Sequence, residues 1–170
     1  MKIKRFSLLV CVLSGLSFTV FSQDEKMLDS IPQTKEEFVR SEKAVINTIN
    51  WLENTPVDQQ TDLRNLRKAQ VVAWITKSPT VTIEVNANVV DFFKKNPELL
   101  IIFMGGWTRY SLEHAYSSDP VQCNRAGIES AIRVYKMGIG MKKDKEMEKL
   151  ADMETKGTLE QWIKDQLAKK

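Results

Sequence analysis

The sequence predicts a single compact all-α domain of five to seven helices, arranged as helical hairpins around one central buried helix. Residues 99–116, LLIIFMGGWTRYSLEHAY, form the most apolar run that follows the N-terminal segment. Elsewhere, apolar residues recur at helical spacing, and proline- or glycine-containing turns separate the periodic stretches. Only residues 80–86 alternate with a period of two, and a lone strand has no pairing partner. We therefore expect one short extended segment and no sheet.

The N-terminal segment predicts export. Residues 1–22 combine a basic start, an apolar run of signal-peptide length and small residues that suit a signal peptidase cutting before Gln23. The run is short for a membrane span, and an uncleaved anchor is the alternative. We therefore expect a periplasmic or secreted protein. Its cleaved signal peptide is followed by a flexible leader over residues 23–33 and one helical domain over residues 34–170.

The charge of the exported chain is balanced. The whole sequence has 25 basic and 22 acidic residues, and residues 1–22 hold three of the basic ones and none of the acidic ones. Residues 23–170 therefore hold 22 of each sign, a formal net charge of 0. This balance gives no general electrostatic argument for nucleic acid, and we expect neither a nucleic-acid partner nor membrane insertion after signal cleavage.

Two helices are predicted before the extended segment. Thr34 begins a capping box, and the helix that follows ends at residues 54–56, where a proline disfavours its continuation. A second helix begins at Asp58 or Thr61 and runs to about Lys77. Its basic residues predict a solvated face, with an anion-binding face as the alternative: Arg64, Arg67 and Lys68.

Residues 80–86, TVTIEVN, are expected to lie extended across the helices. Two alternatives are that they join the following helix or pair with another chain. Residues 87–95 predict a short helix. Asn96 then predicts the N-cap of the central helix, with Pro97 in its first position.

The central helix is apolar on all sides from Leu99 to Trp107, so we expect protein around it. Gly105 and Gly106 each cost about 1 kcal/mol relative to Ala in a helix interior. Close approach of another helix or of the extended segment would offset that cost, and a kink or a break in the helix is the alternative. The following helix offers a matching face of small residues: Ala126, Gly127, Ser130 and Ala131.

Three further helices are predicted after the central one. The first begins with Asp119 as its cap and ends at Gly138 or Gly140. Residues 144–154 predict a charged helix. A capping box at Thr158 predicts the last helix, which holds down the C-terminal end of the domain.

Motifs for most catalytic and metal-binding chemistry are missing from the sequence. Residues 23–170 contain one His and one Cys, too few for a Cys/His zinc site or an internal disulfide. The sequence has no phosphate loop, dinucleotide fingerprint or nucleophile elbow. We therefore expect no cofactor, no metal and no disulfide.

Two groups of residues are candidate sites. His114 and Cys123 lie on either side of a turn, where antiparallel helices could bring them together as a nucleophilic pair. The second candidate is a ligand-binding site at the end of the central helix, where these residues could line a small pocket: Trp107, Arg109, Tyr110 and His114. A packed rim with polar tips explains the same residues without a ligand.

Three stretches, WITKSPTVTIEVN, LLIIFMGGWTRYSLEH and KGTLEQWI, resemble a group of small exported proteins of unknown function from Gram-negative bacteria. The resemblance implies an exported, mostly helical domain and brings no activity, cofactor or site residue. We predict a non-enzymatic extracytoplasmic binding or interaction module with a protein or small-molecule partner. The alternatives are a hydrolase or thiol enzyme using His114 and Cys123, and a helical subunit of an envelope assembly joined through residues 80–86.

Overall fold

The computed structural model describes residues 26–169, and the signal peptide predicted over residues 1–22 lies outside them. Within the described residues it has six α-helices and no strand, which confirms the predicted all-α fold. A 3₁₀ helix, Asp91–Lys94, precedes the third α-helix. The α-helices are α1 (Lys35–Asn54), α2 (Thr61–Lys77), α3 (Glu98–Glu113), α4 (Pro120–Met137), α5 (Lys145–Thr155) and α6 (Leu159–Leu167).

The centre of the fold is the antiparallel pair α3 and α4, which share the most extensive contact of any two helices. A Cβ added at Gly106 would lie 2.7 Å from the carbonyl oxygen of Ala126, and one added at Gly127 would lie 2.5 Å from the ring of Phe103. Only residues without a side chain allow these backbones to come so near. The predicted close approach at the paired glycines is therefore confirmed.

The other helices enclose this pair. α1 packs on α3 where Ile49 meets Gly105, and α2 lies against both α1 and α3. α5 and α6 cover α4 from the other side, holding Met147 and Ile163 in the core. α3 itself ends at Glu113, one turn earlier than the apolar run suggested. No helix within residues 26–169 has the length and apolar character needed to cross a bilayer.

The two caps with polar side chains that precede α1 and α4 form as predicted. Thr34 accepts a hydrogen bond from the N–H of Glu37, whose carboxylate accepts one from the N–H of Thr34. Asp119 caps α4 by accepting from the N–H groups of Val121 and Gln122. Both caps depend only on neighbouring residues, so the local sequence is enough to specify them.

Three local predictions are wrong. Asn96 does not cap α3; its buried amide bridges the backbone of Lys142, donating to the carbonyl at 2.9 Å and accepting from the N–H at 2.8 Å. The helix predicted over residues 87–95 is reduced to the 3₁₀ helix, because residues 87–89 form a turn. The Thr158 side chain makes no cap hydrogen bond, so the capping box predicted for α6 does not form.

The predicted basic face of α2 is used to join helices. Arg64 is buried and donates to the carbonyls of Leu52 and Thr55 at 3.0 and 2.8 Å, satisfying acceptors at the end of α1. Burial lowers the pKa of Arg64, and the nearby carboxylate of Glu98 opposes that shift. Lys68 pairs with the same Glu98 at 2.5 Å. These residues therefore fix the positions of α1, α2 and α3.

Candidate functional site

The structure spreads the four predicted ligand residues over different environments. Trp107 is buried and packs edge-on against Phe103, Arg109 lies in a polar network between helices, and Tyr110 and His114 lie at the end of α3. None of the four lines any of the four grooves that the structure describes in residues 26–169. The ligand site therefore stays a prediction, with no groove described beside it.

Arg109 is the centre of a network that joins α1, α3 and α4. Its guanidinium lies 2.9 Å from a carboxylate oxygen of Glu53, and it donates to Asn50 at 2.7 Å and to Ser130 at 3.0 Å. The second carboxylate oxygen of Glu53 accepts from Arg133 at 2.8 Å. Glu53 is thus shared by two guanidinium groups, which makes this arrangement an interhelical clamp.

The end of α3 carries a small surface group of aromatic side chains. Tyr110 and His114 stack at a centroid distance of 4.0 Å, and Nδ1 of His114 donates to the carbonyl of Tyr110 at 2.8 Å. Ala115 and Tyr116 follow with φ angles of 53° and 61°, a left-handed conformation that is rare for residues with a Cβ. The carboxylate of Glu42, as hydrogen-bond acceptor and as negative charge, raises the pKa of Tyr116.

Cys123 lies in the core, on the first turn of α4. Its side chain is fully buried, and Sγ donates to the carbonyl of Ser117 at 3.4 Å. Burial, with a smaller contribution from the charge of Asp119, raises the pKa of this thiol to about 11. A thiol is nucleophilic only as the thiolate, and at pH 7 Cys123 is protonated. The burial and the raised pKa of Cys123 therefore offer no support for a nucleophilic pair with His114.

Thiol reactivity checks this assignment. We expect 5,5′-dithiobis(2-nitrobenzoate) to leave Cys123 unmodified in the native chain from Gln23, because the thiol is both buried and protonated. One equivalent should react after denaturation in guanidinium. Raising the pH to 9 should not restore native reactivity, since the folded pKa lies about two units higher. Rapid native reaction at pH 7.5 would contradict the expected burial.

Residues 80–86 form a different kind of surface. The chain runs from Val81 to Asn86 without helix, turn or bend. Val81 is buried and Ile83 packs partly against the core, whereas Thr82 and Glu84 point to solvent. From Val81 to Glu84 the period-two pattern of the sequence is thus reproduced as an inner and an outer face, although no strand lies beside it within residues 26–169.

The backbone of this segment is open. Before it, the N–H groups of Thr80 and Val81 reach the hydroxyl of Ser78. From Thr82 to Val85, neither N–H nor C=O groups have a hydrogen-bond partner among residues 26–169. Val85, which the alternation assigns to the inner face, is instead 52% exposed. These residues define what we call the open edge, residues 82–85.

The chain matches no family model, no curated protein and no solved structure. The resemblance to small exported proteins of Gram-negative bacteria stays a prediction.

Proposed function

We propose that this protein is an exported, non-enzymatic interaction module that binds an extended segment of a partner polypeptide along the open edge. The observation that carries the proposal is the straight backbone from Thr82 to Val85, whose donors and acceptors have no partner among residues 26–169. The pattern of residues 1–22 supports the exported location.

Strand addition suits this geometry. An extended peptide laid beside an exposed backbone edge satisfies its N–H and C=O groups, and its alternate side chains provide selectivity. The buried side chain of Val81 and the partly buried one of Ile83 hold the edge in place, so little ordering entropy is lost on binding. A few backbone hydrogen bonds, at about 1 kcal/mol each, predict modest affinity unless further contacts add to it.

The side chains beside the edge indicate the chemistry of the partner strand. Glu84 is exposed on the outer face, so a Lys or Arg on the corresponding face of the partner would be favoured. Val85 is an exposed apolar side chain and would contact an apolar residue. The preferred partner is therefore an extended segment that alternates basic and apolar residues. A permanent partner would make the protein a subunit of an assembly, and a transient one would make it a binding module.

A matched pair of variants tests the proposal. Thr82→Pro removes one backbone donor at an exposed position where an extended conformation suits proline, and Thr82→Ala keeps that donor. The probe is a seven-residue peptide of alternating Val and Lys, added to the ¹⁵N-labelled chain from Gln23. We expect saturable shifts of the amide signals from residues 82–85 in the parent and in Thr82→Ala, with at least tenfold weaker binding in Thr82→Pro.

A backbone-methylated form of the peptide is the control for the hydrogen-bonding mode, because it keeps the side chains and loses the N–H donors. It should not bind. Equal binding to both variants, or amide shifts located away from residues 82–85, would overturn the proposal.

A further inference from the structure

The first described residues lie in a cleft between α1 and α2. Residues 26–29 run without turn or bend, and the side chain of Leu28 is only 1% exposed. The sequence predicts a flexible leader over residues 23–33, and within it Leu28 and Gln33 make defined hydrogen bonds to α1. Neither the charge nor the periodicity of this stretch indicated that its backbone would be bound by α1 and α2.

The α1 wall of the cleft binds backbone atoms. The hydroxyl of Thr48 accepts from the N–H of Leu28 at 2.8 Å. The amide of the adjacent Asn47 donates to the carbonyl of Lys26 at 3.1 Å. Thr48 in turn donates to the carbonyl of Ala44, which fixes its hydroxyl as the acceptor for the segment.

Side chains of α2 also bind backbone atoms of the segment. Arg67 donates to the carbonyl of Leu28 at 2.5 Å, and the amide of Gln70 donates to the carbonyl of Asp29 at 3.4 Å. Arg67 also donates to the side-chain oxygen of Gln70 at 3.0 Å, which orients both groups. Leu28 thus has both of its backbone polar groups bound by side chains, one from each helix.

The cleft binds the backbone of residues 26–29 and one aliphatic side chain, that of Leu28. The side chains of Lys26 and Asp29 are 80% and 70% exposed, so their identity contributes little to the docking. A binding mode that uses main-chain groups and a single buried anchor does not require the segment to belong to the same chain. A groove of about 370 Å³ continues beside residues 28–32 along α1 and leaves room for a longer occupant.

We propose that the α1–α2 cleft is a peptide-binding site for an extended segment of another polypeptide that carries one large aliphatic residue, and that residues 26–29 occupy it as a built-in competitor. The attached segment is present at a high effective concentration, so an external peptide binds only weakly until that segment is displaced. This site is separate from the open edge, and neither proposal depends on the other.

The test uses the full chain from Gln23 with Leu28→Asp, which ejects the built-in segment because a carboxylate cannot enter the leucine site at low cost. The probe is a fluorescein-labelled peptide of residues 26–33 with the natural sequence, followed by anisotropy. We expect it to bind the Leu28→Asp chain at least tenfold more tightly than the parent. The same peptide carrying Leu28→Asp should bind neither chain.

A second substitution tests the cleft itself. Thr48→Val, added to the Leu28→Asp chain, keeps the volume but removes the acceptor for the leucine N–H, and should weaken peptide binding several-fold. Leu28→Ala provides a milder second chain if the aspartate variant loses its helical circular dichroism. The proposal is overturned if a folded variant fails to bind the natural peptide, if both peptides bind equally, or if neither variant folds.

Discussion

Replacing Gly106 with Ala should destabilise the fold by about 2–3 kcal/mol, although alanine favours a helix by about 1 kcal/mol. The added Cβ would lie 2.3 Å from the hydroxyl of Ser130 and 2.7 Å from the carbonyl oxygen of Ala126. The second atom belongs to the backbone, so α4 as a whole has to move away from α3. Urea unfolding of the chain from Gln23, followed by circular dichroism, measures the loss.

Gly105→Ala is the matched control on the same helix. Its Cβ would meet the side chain of Ile49 at 3.0 Å, and a side-chain end yields more easily than backbone. We expect its loss to be at least 1 kcal/mol smaller than that of Gly106→Ala. Equal effects would show that the approach of α3 and α4 is not what requires glycine at position 106.

Substituting Glu53 by Gln should cost about 2–4 kcal/mol, because it leaves a partly buried cation without its counter-charge. The Glu53 side chain is 6% exposed and that of its partner Arg109 is 17% exposed, whereas Arg133 is 49% exposed. Arg109→Met should be similarly costly because Glu53 then depends on the more exposed arginine alone. The free energy of unfolding in urea gives the comparison.

The exposed partner supplies the control for this network. Arg133→Met should cost less than about 1 kcal/mol, since solvent screens an ion pair at that position. The double variant Glu53→Gln/Arg109→Met should be more stable than the sum of the two single losses predicts, because it removes both charges together. An effect of Glu53→Gln no larger than that of Arg133→Met would contradict a clamp that depends on the buried Glu53–Arg109 pair.

The two proposed binding sites share one physical feature, backbone recognition of an extended chain, but they differ in what is occupied. At residues 82–85 the backbone N–H and C=O groups have no hydrogen-bond partner within residues 26–169, and the proposed partner polypeptide would provide those hydrogen bonds. In the α1–α2 cleft, side chains of the helices already bind the backbone of residues 26–29. Binding at the first site adds contacts, whereas binding at the second replaces existing ones.

The candidate site was only partly accessible from sequence. The alternation of residues 80–86 indicated the open edge, because a period of two assigns faces without knowledge of the rest of the fold. The docking of Leu28 gave no such signal, since a single leucine in a polar stretch is also typical of a leader. Its partners, Thr48 and Arg67, come from two helices and meet only after those helices pack.

The six α-helices and the caps at Thr34 and Asp119 follow from apolar spacing and capping chemistry, which depend on neighbouring residues. The small size of Gly106 predicted a close contact, and the fold supplied its partner, Ala126 on α4. The roles of the charged residues were decided only by packing. Glu53 pairs with Arg133, which lies 80 positions later in the chain. Arg64 is buried where it donates to a carbonyl at the end of α1. A charge can be solvated or paired with almost any opposite charge, so its partner is fixed by which helices come together and not by its sequence neighbours.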